Sequence, residues 1–374
     1  MMMFDRRLFK NYGWALFILT LAFSIIGLVN LYSASFQTEF YVFKKQLVWV
    51  NLGLIGMILV SFLDFKTIKR YTTHIYAITI IFLIITLLFG KEVAGSKSWI
   101  SLGHLINIQP SEFAKLTIII ALAKFYDNDF EPGPYGIRDL VKPILILAIP
   151  VVLVMVQPDL GTAFVIILIS GSIIFFMGIR IKSLLFLFIV IIGLSLSSWN
   201  FLFKDYQKER IVTFIDSSQD PLGSGYNAIQ SQIAVGSGKF IGKGFKTGSQ
   251  TQLRFIPAQK TDFVFSVLAE EWGFVGAIIT LVIYFLIILW ILDTASRSKD
   301  KFTMLICFGI AAMYFWHTVI NVGMVIGILP VTGVPMLLLS YGGSSTIASL
   351  LAIGIVLGIR MRRTPLVKEA LDLA

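Results

Sequence analysis

Apolar residues in this chain run in unbroken blocks instead of alternating with polar ones at strand or amphipathic-helix spacing. The blocks lie at about 13–34, 46–63, 72–90, 111–126, 140–157, 159–178, 182–199, 262–293, 303–326 and 341–360. Their typical length, about 17–25 residues with few charges, crosses a bilayer core of roughly 30 Å at 1.5 Å per residue. Backbone groups inside lipid must be bonded within their own segment, so such blocks are helices. The pattern predicts an all-α, polytopic integral membrane protein of about ten transmembrane helices. It forms a single domain over 1–374, with one long polar interval at about 200–261. The first block follows Asp5-Arg6-Arg7. Ser33-Ala34-Ser35 faintly resembles a signal-peptidase site, but the run exceeds a signal-peptide core of about 7–15 residues and reads as a retained span.

Composition agrees with the blocks. Of 374 residues, 57% are hydrophobic and 14% charged, against roughly one-half and one-quarter in soluble domains. Mean hydropathy is +0.85. The net charge of +10 does not point to nucleic acid, because the basic residues sit in short clusters between spans. Eighteen Lys and Arg fall in the loops and tails of one side: Arg6, Arg7, Lys10, Lys66, Lys69, Arg70, Lys124, Arg138, Lys142, Arg180, Lys182, Arg297, Lys299, Lys301, Arg360, Arg362, Arg363 and Lys368. Four, Lys44, Lys45, Lys91 and Lys97, fall in the short loops of the other. This asymmetry places both termini in the cytoplasm and the 200–261 loop outside. The single cysteine, Cys307, excludes an intrachain disulfide and says nothing about redox compartment.

Polar residues gather where the outer ends of the spans fall. Gln109-Pro110-Ser111-Glu112 is followed by Lys115. At i and i+3, Glu112 and Lys115 share a helix face. They read equally as a structural ion pair and as intramembrane charges marking a substrate path. Asp159, in Gln157-Pro158-Asp159, suits a helix cap. The long loop carries Arg210 and the run Gly236-Ser237-Gly238-Lys239-Phe240-Ile241-Gly242-Lys243-Gly244. Its glycines and Lys243 could approach a phosphate, yet the spacing is not that of a Walker A loop, and a flexible surface loop is the simpler reading. Asp262 stands where this loop meets an apolar helix. It suits either an N-cap or a partly desolvated carboxylate tuned as a general base. His317, in mid-span, reads as a packing residue or a hydrogen-bonding partner to a neighbouring helix.

Taken in order, Gln109-Pro110-Ser111-Glu112, Thr261-Asp262-Phe263, Asn321-Val322-Gly323-Met324, Pro330-Val331-Thr332-Gly333 and Ser340-Tyr341-Gly342-Gly343-Ser344-Ser345 resemble the SEDS family of cell-shape, elongation, division and sporulation proteins. The resemblance covers essentially the whole chain. Thr332, where division members usually carry lysine, and the match in length without long tails resemble the elongation branch.

The resemblance implies a peptidoglycan glycosyltransferase of the bacterial cytoplasmic (inner) membrane. Such an enzyme joins lipid II into glycan strands and releases undecaprenyl pyrophosphate, with inversion. Asp262 then matches the family's essential aspartate, and Glu112, Lys115, Asp159 and Arg210 match polar positions around its central outer cavity. Arg210, Lys115 and loop lysines such as Lys243 are the candidate cations for the pyrophosphate. A divalent cation, Mg or Mn, could share that role; no His/Cys cluster marks a dedicated metal site. The expected partners are a class B penicillin-binding protein and other elongation-complex membrane proteins, with no nucleic acid. Ser98, Ala258, Lys260 and Met336-Leu337-Leu338 depart from the family's usual residues. Two other readings remain at this stage: a lipid II flippase and a non-catalytic cell-wall scaffold.

Overall fold

The computed structural model describes residues 11–36, 39–93, 95–103, 106–129, 133–187, 189–190, 193 and 224–362. Its helices are α1 (Trp14–Ser35), α2 (Phe40–Ser61), α3 (Phe65–Phe89), α4 (Pro110–Asp127), α5 (Val141–Val156) and α6 (Leu160–Phe176). Further along the chain come α7 (Ser224–Ser237), the short turn α8 (Ser249–Gln252), α9 (Val264–Ser296), α10 (Lys301–Val325) and α11 (Gly343–Met361). Among the described residues, α1, α2, α3, α9, α10 and α11 are long and apolar enough to cross a membrane; α5 and α6 are shorter apolar helices. The predicted span at 182–199 is helical over 181–187, and about half of it lies outside the described residues.

The helices match the apolar blocks closely at most ends. The exceptions are α2 and α3, which begin several residues earlier than predicted. At the start of α2, the Lys44 and Lys45 ammonium groups lie over the rings of Phe40 and Tyr41, so charged residues extend the helix beyond its apolar stretch. Asp64 caps α3, accepting from the Lys66 N–H.

Helix α4 lies at the centre. Most of its residues are buried and none is exposed, and it packs against α3, α5, α6, α10 and α11. That enclosure is why a helix carrying four charged residues, Glu112, Lys115, Lys124 and Asp127, can sit inside the bundle: neighbouring helices and not lipid surround it. The basic clusters predicted for one side meet at one end. Arg360 bonds Asp293 at 2.7 Å, Arg362 bonds the Ser61 and Phe62 carbonyls, and Lys69 pairs with Asp127.

At the opposite end the chain adds structure that the hydropathy pattern did not reveal. Strands β1 (Lys91–Val93), β2 (Ser96–Leu102) and β3 (Ile106–Ile108) form a small antiparallel sheet between α3 and α4. The polar 200–261 interval contains α7 and α8. The glycine–lysine run is not the loose loop expected of it. Helix α9 breaks at Gly273 (φ 65°, ψ −166°), and the run supplies the backbone bonds lost there. The Lys243 and Gly244 N–H groups donate to the Glu270 and Glu271 carbonyls at 3.0 Å. The Phe274 and Val275 N–H groups donate to the Lys239 and Phe240 carbonyls. A break in a spanning helix persists when other protein groups satisfy the freed backbone, and Gly273 has the positive φ that a side chain would resist.

Candidate active site

The site assembles at the end of the bundle away from the basic clusters. Helix α4 begins there with Pro110 in its first turn and Gln109 before it, an arrangement proline favours because the missing N–H has no intrahelical acceptor. The Gln109 N–H donates to Ser344 Oγ at 2.9 Å, and Gln109 Nε2 donates to Asp159 Oδ2 at 2.9 Å. The N-terminal ends of α4, α6 and α11 are thereby joined. Asp159 also caps α6, accepting from the Thr162 N–H at 3.2 Å, so the capping reading of this residue holds and Gln109 is its second partner. The β2 strand is fixed to the same end: Ser96 Oγ and the Lys97 N–H both donate to the Gln157 carbonyl.

One turn into α4, Glu112 and Lys115 are 3% and 2% exposed. Lys115 Nζ donates to both Glu112 carboxylate oxygens at 2.9 Å. Its third contact is His317 Nε2 at 2.9 Å, and His317 Nδ1 lies 2.9 Å from the Pro335 carbonyl. An ammonium can only donate. Nε2 therefore accepts and the proton sits on Nδ1, which donates to Pro335.

The segment 330–335 is the hinge of the arrangement. On one side Gly161, at the start of α6, abuts the Thr332 carbonyl; an added Cβ would collide with it. On another, Asn321 Nδ2 donates to the Val334 carbonyl at 2.8 Å and to the Asp262 carbonyl at 2.8 Å. Gly333 faces the Asp262 carboxylate: a methyl built on it would stand 3.6 Å from Oδ2. Asp262 is half-buried in the turn before α9. The residue at the N-cap position of α9 is Phe263, with no side-chain capping bond. Asp262 thus stands one residue before the N-cap position.

Four of the candidates therefore belong to one connected set. Lys115 and Glu112 reach Asp262 through His317, Pro335, Val334 and Asn321, and Asp159 joins through Gln109 and Gly161. Lys243 is placed differently. Its ammonium bonds Glu270 Oε1 and Ser249 Oγ, both at 2.8 Å, while Glu270 also takes the Gln250 and Thr251 N–H groups and the Thr251 hydroxyl. Arg210 lies outside the described residues. Lys260, a departure from the family pattern, pairs with Glu39 at 2.6 Å, and its carbonyl accepts from the Tyr341 N–H. Among the described residues, no three His, Cys, Asp or Glu side chains are grouped as a metal cage.

His317 and Asn321 are the residues that sequence reasoning undervalued. A signal was present: two polar side chains in an apolar span at i and i+4 share one face. Nothing in the sequence showed that this face meets Asp262.

Residues 13–364 match the family model FTSW_RODA_SPOVE, described as cell cycle protein. The chain is 34% identical to the peptidoglycan glycosyltransferase RodA of Treponema pallidum, covering 95% of this chain and 98% of that one. It is 35% identical to the peptidoglycan glycosyltransferase MrdB of Escherichia coli, covering 94% of each. Among solved structures it resembles one described as "Structural coordination of polymerization and crosslinking by a peptidoglycan synthase complex" (TM-score 0.81, 33% identity, 94% and 98% covered). It also resembles the rod shape determining protein RodA of Thermus thermophilus (TM-score 0.71, 29% identity, 94% and 97% covered).

Proposed function

This chain belongs to the FtsW/RodA/SpoVE family, and from that premise we propose that Asp262 is the general base of a lipid II polymerase. The protein is a multi-pass membrane protein of bacterial type and a peptidoglycan glycosyltransferase of the elongation branch. The observation that carries the residue-level reading is the continuous run of contacts from the buried Lys115–Glu112 pair to Asp262.

In the proposed reaction the acceptor's sugar hydroxyl attacks the anomeric carbon of the donor. Asp262 takes the hydroxyl proton as the new C–O bond forms, and the bond to undecaprenyl pyrophosphate breaks. The carboxylate is half-buried at the start of the apolar helix α9, the position from which a general base would act. The N-terminal ends of α4, α6 and α11, tied together by Gln109, bring three positive helix ends to this side, which favour the leaving anion. Arg210 is the candidate cation for the pyrophosphate. A divalent cation, Mg or Mn, would enter with the pyrophosphate and not in a cage of protein ligands. The Lys115–Glu112 pair holds the floor of the site without net charge.

Lys243 admits a direct test. Its ammonium is engaged by Glu270, so Lys243→Ala is expected to lower stability by about 1–3 kcal/mol, read as a lower melting temperature, with KM for lipid II unchanged. A several-fold rise in KM at unchanged stability would instead make it a substrate contact.

On this reading the chain lies in the cytoplasmic (inner) membrane with 200–261 outside. A class B penicillin-binding protein is its cross-linking partner, alongside other elongation-complex membrane proteins. Proteoliposomes loaded with labelled lipid II test the function: glycan polymer is expected, whereas transfer of lipid II across the bilayer without polymer would favour a flippase. Orientation is tested by labelling Phe240→Cys, at a position 68% exposed, in a Cys307→Ser background. Labelling from outside the cell is expected; labelling only from inside would overturn the topology.

A further inference from the structure

We propose that His317 and Asn321 form a clamp that positions Asp262 for the transfer, an inference that rests on Asp262 being the base. The two side chains are one turn apart on α10 and fully or almost fully buried. They take hold of successive carbonyls of one segment, Asn321 at Val334 and His317 at Pro335. Each has a second partner on a different element. Asn321 Nδ2 also holds the Asp262 carbonyl, and His317 Nε2 accepts from Lys115 on α4. One helix face thus fixes three separate pieces of chain relative to each other: the turn carrying Asp262, the 330–335 segment, and the central helix with its ion pair.

The chemistry of each prong is specific. Asn321 must supply two N–H donors from one nitrogen, because both partners are carbonyl oxygens. A carboxylate there would set negative charge against both oxygens, and an aliphatic side chain would leave both without this donor. His317 must accept on one side and donate on the other. Neutral imidazole with its proton on Nδ1 does this, and a glutamine side chain can do the same, its oxygen toward Lys115 and its NH₂ toward Pro335. Leucine fills the space but does neither. The clamp touches no reacting atom; it acts through the position of Asp262. A misplacement of about 1 Å can cost on the order of 100-fold in rate, so the effect belongs in kcat.

The test is lipid II polymerisation by the full chain, with a class B penicillin-binding protein, for wild type, Asn321→Leu, His317→Leu and His317→Gln. Melting temperature and lipid II affinity are measured alongside. Asn321→Leu and His317→Leu are expected to lower kcat roughly 10- to 100-fold with KM within about threefold of wild type. His317→Gln is expected to retain most of the wild-type kcat. If Asn321→Leu does not fold, the two His317 variants decide the matter. Glutamine rescue with leucine failure, at equal melting temperatures, supports the clamp. Equal activity of the two overturns it, as does loss of activity that only follows loss of folded protein. Wild type that makes no polymer would refute the polymerase reading itself, a different outcome from wild type that polymerises beside equally active clamp variants.

Discussion

Replacing Lys115 by Met is expected to destabilise the protein by about 3–5 kcal/mol, the usual cost of leaving one member of a buried ion pair unpaired. Glu112 is 3% exposed and both its oxygens face the Lys115 ammonium at 2.9 Å. Without that ammonium the carboxylate must be protonated or stay charged in a nearly water-free interior, and both are costly. His317 loses its donor at the same time. The double variant Glu112→Gln with Lys115→Met removes both charges and should recover most of the stability, since neutral replacements of buried pairs are often tolerated. It should not recover activity, because His317 still lacks its Lys115 contact. Thermal unfolding in detergent of wild type, single and double variants reads the first effect. A single variant as stable as wild type would show that the pair does not hold the bundle as described.

The second large effect is on rate. Asp262→Asn should lower lipid II polymerisation by about 10²–10⁴-fold, the range general-base catalysis contributes. The substitution keeps the side-chain size and leaves the backbone carbonyl held by Asn321. Phe263, not Asp262, stands at the N-cap position of α9, and asparagine keeps the acceptor oxygen of the aspartate side chain. Melting temperature should therefore change by little, which separates the prediction from that for Lys115. A large loss of stability in Asp262→Asn would return the residue to a structural role.

The spans were legible because a bilayer imposes one length on every helix that crosses it, and the apolar blocks and the helices coincide for α1, α4, α5, α6, α9, α10 and α11 within a few residues. The central position of α4 was hinted at by Glu112 and Lys115, charges that a lipid-facing helix would not carry. What could not be read was the outer architecture. The break at Gly273 is invisible to hydropathy, since the segment stays apolar overall despite Glu270 and Glu271. The run around Gly242 that fills it therefore resembled a flexible loop. Asp262 was found by motif, but its separation from the N-cap of α9 depends on backbone geometry. The meeting of Asn321 with Asp262, 59 positions apart, depends on how α9 and α10 pack, which no local pattern records.

The measurement closest to the centre of this account is polymerisation of purified lipid II by the full chain, wild type beside Asp262→Asn, with and without a class B penicillin-binding protein. The account predicts glycan polymer and released undecaprenyl pyrophosphate from wild type, and almost none from a folded, partner-bound Asp262→Asn. Equal polymer from the two proteins would contradict it, because the carboxylate at 262 would then not be the base.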